Sequence, residues 1–159
     1  LVAQYTGLVV AFVAASLLMV MGAATIRILP LHDTTGLDRT PALYWPEPQL
    51  VTEPEPDEGP VLITLTFNVP AANVAPFLEA MTHVRASRQR TGASRWCLYQ
   101  DAAHPSRFIE TFHVPSWAEH LRQHRERLTG ADQDIEEQAL KITDGPPQVA
   151  HLFRAREPE

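Results

Sequence analysis

ASRWCLYQDAAHPSRFIETFHV, Ala93 to Val114, reads as a β-hairpin, and the rest of the fold is arranged around it. Ala93–Asp101 and Ser106–Val114 are rich in β-branched and aromatic residues, and the AAHP between them suits a short turn. Successive side chains of a strand point to opposite faces. Phe108, Glu110 and Phe112 therefore share one face, and Ile109, Thr111 and His113 the other. Glu110 is expected to pair across strands with a basic side chain such as Arg95.

Upstream, VLITLTFNV (Val61–Val69) alternates as a strand with one buried face. A helix is predicted from about Asn73, because Val74, Phe77, Leu78, Met81 and Val84 form an apolar stripe. Asn73 is the expected cap, Pro76 is tolerated in a first turn, and Gly92 ends the helix. Arg85, Arg88 and Arg90 lie near its C-terminus, where the helix dipole favours cations.

Downstream, Ser116-Trp117-Ala118-Glu119 is a capping box that opens a helix through Leu128. Thr129 caps a further helix through about Ile142, and Asp144-Gly145-Pro146-Pro147 breaks it. Gln148–Arg154 reads as a last strand. The order β-α-β-β-α(α)-β predicts an α+β, ferredoxin-like domain with a four-stranded antiparallel sheet over residues 60–155, followed by a tail, 156–159. One sheet face is expected under the helices. The other also carries apolar side chains, so a homodimer through this face, closing a dimeric α+β barrel, is expected.

The N-terminal part differs in kind. Gly7–Ile26 carries no charged side chain and is long enough to span a bilayer, so residues 1–30 read as a transmembrane helix with membrane lipid as a partner. A signal peptide is the competing reading, but no basic n-region precedes the run and its length exceeds the usual apolar core. Gly7, Ala11 and Ala15 put small side chains on one face, which a neighbouring helix can approach. Arg27 after the span points to a cytoplasmic C-terminal side. Residues 31–59 form an acidic, proline-rich linker expected to be extended. Its Tyr44-Trp45 suits a headgroup layer or a protein surface equally. Much of the net charge of −6 comes from this linker, and no basic patch suggests nucleic acid. The single Cys97 makes no internal disulfide and is expected to be inert.

The candidate chemistry is confined to few residues. His120 and His124 are spaced i, i+4 on one helix face, a metal-binding spacing, but no carboxylate lies between them and arginines surround them. No metal and no cofactor is expected. His113, with Trp96, Trp117, His120 and His124, is a candidate lining for an aromatic ligand or haem; the two tryptophans also read as core fillers. No nucleophile–base pair, phosphate loop or paired-carboxylate motif is present, so no catalytic residue is assigned.

RWCLYQDAAHPSRFIETFHVPSWAEHLRQHRERLT (Arg95–Thr129), with Pro41-Ala42-Leu43-Tyr44-Trp45-Pro46-Glu47-Pro48 before it, resembles the C-terminal extension of the transmembrane secretion effector group of major facilitator superfamily transporters, similar to the enterobactin exporter. The resemblance implies a last transporter helix followed by a domain similar to the antibiotic-biosynthesis monooxygenase fold. It implies a C-terminal fragment of a small-molecule exporter, whose remaining helices are its partners. It also implies a bacterial inner-membrane location with a cytoplasmic, accessory dimerisation or ligand-binding domain, to which the family lends no enzymatic activity, so a non-enzymatic role is favoured. The alternative is a membrane-anchored, cofactor-independent monooxygenase or haem-binding enzyme.

Overall fold

The computed structural model describes residues 2–28, 35–41 and 50–155. The chain divides into two compact units, Leu1–Gly36 and Leu37–Glu159. The first holds α1 (Val2–Ile28), in which Gly7 takes a non-helical backbone with φ of 77°. Its Gly7–Thr25 segment, of mean hydropathy 2.3, is long and apolar enough to cross a membrane by length and composition. Tyr44-Trp45, most of the proline–tryptophan element and the tail 156–159 lie outside the described residues.

The second unit is built on a sheet of β1 (Val61–Asn68), β2 (Ser94–Gln100), β3 (Arg107–Val114) and β4 (Gln148–Leu152). The strands run in the order β2-β3-β1-β4, all antiparallel to their neighbours. Register places Val61 opposite Val114, Ile63 opposite Phe112, Leu65 opposite Glu110 and Phe67 opposite Phe108. All eight side chains are buried on one face. Helix α2 (Val74–Thr91) covers this face with Phe77, Met81 and Val84, and Phe77 meets the rings of Phe67 and Phe108. Burying an aliphatic or aromatic side chain of this size is worth roughly 1.5–3 kcal/mol, so this layer dominates the stability of the unit.

The expected closed barrel is corrected. The sheet is a single open layer with β2 and β4 at its edges. A sheet of four strands is too narrow to curl round and close on itself, so the sheet of a single chain stays open. The architecture is therefore an open four-stranded α+β sheet fold, with four α-helices among the described residues.

Three local expectations are also corrected. The helix after Ser116 does not run to Leu128: α3 (Trp117–Arg122) gives way to a π turn, Gln123–Arg127, closed by Leu128 N–H donating to the Gln123 carbonyl at 3.1 Å. Asn73 does not cap α2 with its side chain. A 3₁₀ turn, Ala71–Asn73, precedes the helix, and Asn73 Nδ2 donates to the Ile142 carbonyl at 2.9 Å instead. Helix α4 (Gly130–Leu140) ends two residues short of Ile142.

The end of the proline-rich stretch is folded against the unit. Trp117 N–H donates to the Glu58 carbonyl at 2.9 Å and Ala118 N–H to the Pro56 carbonyl at 2.8 Å. These bonds satisfy donors at the start of α3 that have no partner within the helix. Ser116 Oγ accepts from Glu119 N–H at the same end. Further upstream, Gly130 N–H and Ala131 N–H donate to the carbonyls of Thr40 and Asp38 at the start of α4.

Candidate functional site

Helix α2 carries its apolar stripe one step past Val84 to Arg88, which is 5 % exposed. An arginine placed there must find anions, because an unpaired buried charge is costly. Its Nε donates to Glu110 Oε1 at 3.3 Å and its Nη1 to Glu136 Oε1 at 2.5 Å. Burial opposes the Arg88 charge, but Glu136 and Glu110 outweigh it and raise its pKa. The guanidinium also lies over the Phe112 ring, 5.2 Å from its centroid. Glu110 is fully buried, and Oε1 takes a second bond from Trp96 Nε1–H at 2.8 Å.

Arg88 forms part of the wall of a cavity of about 420 Å³ beside the sheet. Ile63, Leu65 and Phe112 supply its sheet side, and α4 contributes Gln133, Glu136, Glu137 and Leu140. Pro146, Pro147 and Val149 close another wall. This is the size and largely apolar character of a small-molecule site.

Three imidazoles gather on the remaining wall. His120 Nε2 lies 3.0 Å from His151 Nε2, a separation at which one ring donates to the other. The His124 ring stands edge-on to His120 with centroids 4.7 Å apart. Trp117 backs the group, 5.2 Å from His120 and 5.5 Å from His151. Burial, then His151, lower His120 to about 3, against the opposing effect of hydrogen bonding to Gln123. Burial, then His120, lower His124 to about 2. Burial also lowers His151. All three are neutral near pH 7. Among the described residues, no group of three or more His, Cys, Asp or Glu is arranged to hold a metal ion.

The sequence candidates are thus partly brought together. His120 and His124 line the cavity, while Trp117 stands behind them. Trp96 reaches the site only through Glu110. His113 points to the opposite sheet face, since it alternates with the buried Phe112 and Val114. The Arg95–Glu110 pairing is corrected. Arg95 sits at the register shift between Ser94 and Cys97 with φ of 51° and is exposed, and Arg88 takes its place. Arg88, Glu136 and His151 were not singled out as site residues by sequence reasoning. For Arg88 the available signal is its position on the apolar stripe, seven residues after Met81 and four after Val84.

The second unit is similar to small solved proteins. A protein from Bordetella bronchiseptica, described as an antibiotic biosynthesis monooxygenase, matches with a TM-score of 0.54 at 18% identity, over 62% of this chain and 100% of that one. One of the same description from Caulobacter crescentus matches with a TM-score of 0.54 at 14% identity, over 63% of this chain and 93% of that one. A conserved protein from Methanosarcina mazei matches with a TM-score of 0.51 at 14% identity, over 60% of this chain and 92% of that one. At these identities the likeness shows the fold. No curated protein matches the chain in sequence.

These likenesses give the fold of the second unit and carry no transporter context. The match covers these solved proteins almost wholly, so the fold of the second unit also occurs as a small protein. They lend no support to an exporter fragment, to an inner-membrane location, or to lipid, transporter helices and a barrel-forming homodimer as partners. The likeness to proteins described as monooxygenases shows the fold alone and gives no ground for the expected non-enzymatic role. In sequence, the family model described as transmembrane secretion effector matches residues 1–159, the whole chain, and the chain belongs to that family.

Proposed function

We propose that the second unit binds a small, mostly apolar substrate in the cavity beside the sheet and oxidises it as a cofactor-independent monooxygenase. The observation that supports this reading most directly is the cavity of about 420 Å³, apolar over most of its wall and furnished with neutral imidazoles and a buried ion pair. The fold likeness to proteins described as monooxygenases is consistent with it. In this reaction class an activated CH2 carbon takes one oxygen atom of O2 and becomes a carbonyl. Its two hydrogens leave with the other oxygen as water, and the substrate supplies all four electrons. His120 and His124 are the proposed ligand contacts. Their low basicity suits them to hydrogen bonding and to packing against a ring. Trp117 fixes them from behind. Trp96 holds Glu110, and His113 is proposed to act at most indirectly.

The test uses the full chain in mild detergent with anthrone, an apolar ring system bearing an activated methylene. The expected result is O2 uptake matched one to one by carbonyl product, falling tenfold or more in His124→Ala while the near-ultraviolet circular dichroism is retained. Uptake by the wild-type chain no faster than the detergent blank would overturn the reading.

A further inference from the structure

Glu110 is a fully buried carboxylate between sheet and helices, and only half of it is engaged. Oε1 accepts from both Arg88 Nε and Trp96 Nε1. Oε2 is buried and accepts no hydrogen bond from the described residues. Leaving a buried carboxylate oxygen without a donor costs on the order of 1–3 kcal/mol, so such a group calls for a partner.

The surroundings of Glu110 indicate where a partner would come from. The residue lines a recess of about 50 Å³. Leu65, Arg88, Glu136, Leu140 and Pro147 border both this recess and the main cavity. The recess is therefore an inner pocket of the same site, large enough for a hydroxyl or amino group and the carbon that carries it. Among the described residues, Arg88 is the cation lining the recess, and Glu110 and Glu136 already engage it.

We infer that Glu110 Oε2 is the polar anchor of the site and selects ligands that present an O–H or N–H donor at the end of an apolar body. This rests on the cavity being a ligand site, as proposed above, and adds to that reading the chemistry of the ligand's inner end. The geometry makes a sharp distinction. Donors are accepted, ethers of the same shape leave Oε2 unpartnered, and carboxylates meet a like charge.

Calorimetric titration of the full chain in mild detergent with 2-naphthol, 2-methoxynaphthalene and 2-naphthoate separates these cases, with detergent blanks subtracted. The expected result is that 2-naphthol binds at least about tenfold more tightly than the other two, the ratio that a hydrogen bond to a charged acceptor supplies. In Glu110→Gln the amide oxygen stays with Arg88 and Trp96, so the amide N–H faces the recess. The preference is then expected to turn toward 2-methoxynaphthalene. Equal binding of naphthol and its methyl ether by the wild-type chain overturns the inference while leaving the ligand site standing. Retention of the tenfold preference in Glu110→Gln also overturns it, and shows that the preference arises away from Oε2. Failure of all three probes to bind removes the ligand site and this inference together. If Glu110→Gln does not fold, the wild-type ratios decide.

Discussion

Arg88 and Glu110 meet where two otherwise apolar surfaces press together, with 6 % and 0 % of their side chains exposed. Desolvating both ions costs several kcal/mol each, so the pair is retained only because each ion is the other's partner. Arg88→Met is therefore expected to be much worse than loss of an average contact. It leaves the Glu110 carboxylate buried without its cation and should cost about 3–5 kcal/mol in denaturant unfolding. The double variant Arg88→Met with Glu110→Leu should recover most of that loss, since the uncompensated charge is gone. A double variant no more stable than the single one would show that the guanidinium acts by packing on Phe112 instead. The sequence did reveal that Glu110 stands between two core phenylalanines. It did not reveal the partner, because cross-strand proximity pointed to Arg95. The bulge after Ser94 turns that residue away, and such irregularities leave no mark in the alternation pattern.

At the scale of elements, periodicity and punctuation were informative where one element is regular over several residues. The alternation of Val61–Val69 is found on the buried face, and of the stripe Phe77, Met81 and Val84 are buried while Leu78 is exposed. The same reasoning failed between Arg122 and Leu128, because a π turn needs no distinctive residue type. It is fixed by tertiary bonds: Gln123 Nε2 donates to Thr91 Oγ1 at 2.8 Å, and Arg127 bridges the Thr91 carbonyl and Glu119. The start of α3 depends on Gly59 in a comparable way. A Cβ at this position would overlap the Pro115 carbonyl oxygen and crowd Ser116 Cα, both backbone atoms that cannot swing aside. Gly59→Ala is expected to push residues 56–58 off the helix and deprive Trp117 and Ala118 N–H of their acceptors. With about 1 kcal/mol for each lost bond, the expected cost is about 2 kcal/mol. Ser116→Ala, which removes only the side-chain cap, should cost about 1 kcal/mol. Thermal unfolding of the two variants beside the wild type checks the order, and a Gly59→Ala melting temperature equal to that of the wild type would mean that the upstream segment contributes nothing to α3.

For the whole molecule, the layer arrangement was legible from element order, but sheet closure was not, since it depends on where edges meet in space. The histidine cluster shows the same limit. His120 and His124 were visible as a pair, whereas His151 joins them only because β4 lies against β1. That assembly gives the unit a pH dependence that no single segment would have. Burial lowers His120 to about 3, from an ordinary value near 6.5 in the unfolded chain. Between those values the unfolded chain binds the extra proton, so stability is fully present above about pH 6.5 and falls as the solution is acidified. From pH 7 to pH 5 the loss attributable to His120 is roughly 2 kcal/mol, and His124 and His151 act in the same direction. Asp132 does not offset this. Burial pushes it up, but bonds from Arg90, Thr129 and Ser87 prevail and hold it at about 2, so its contribution is lost only below about pH 4. Urea unfolding at pH 7, 6 and 5 should therefore show a midpoint that drops steadily with acidity. His120→Gln should lower the midpoint at pH 7 yet flatten its dependence on pH. A wild-type midpoint constant over this range would mean that the folded cluster takes up protons as readily as the unfolded chain.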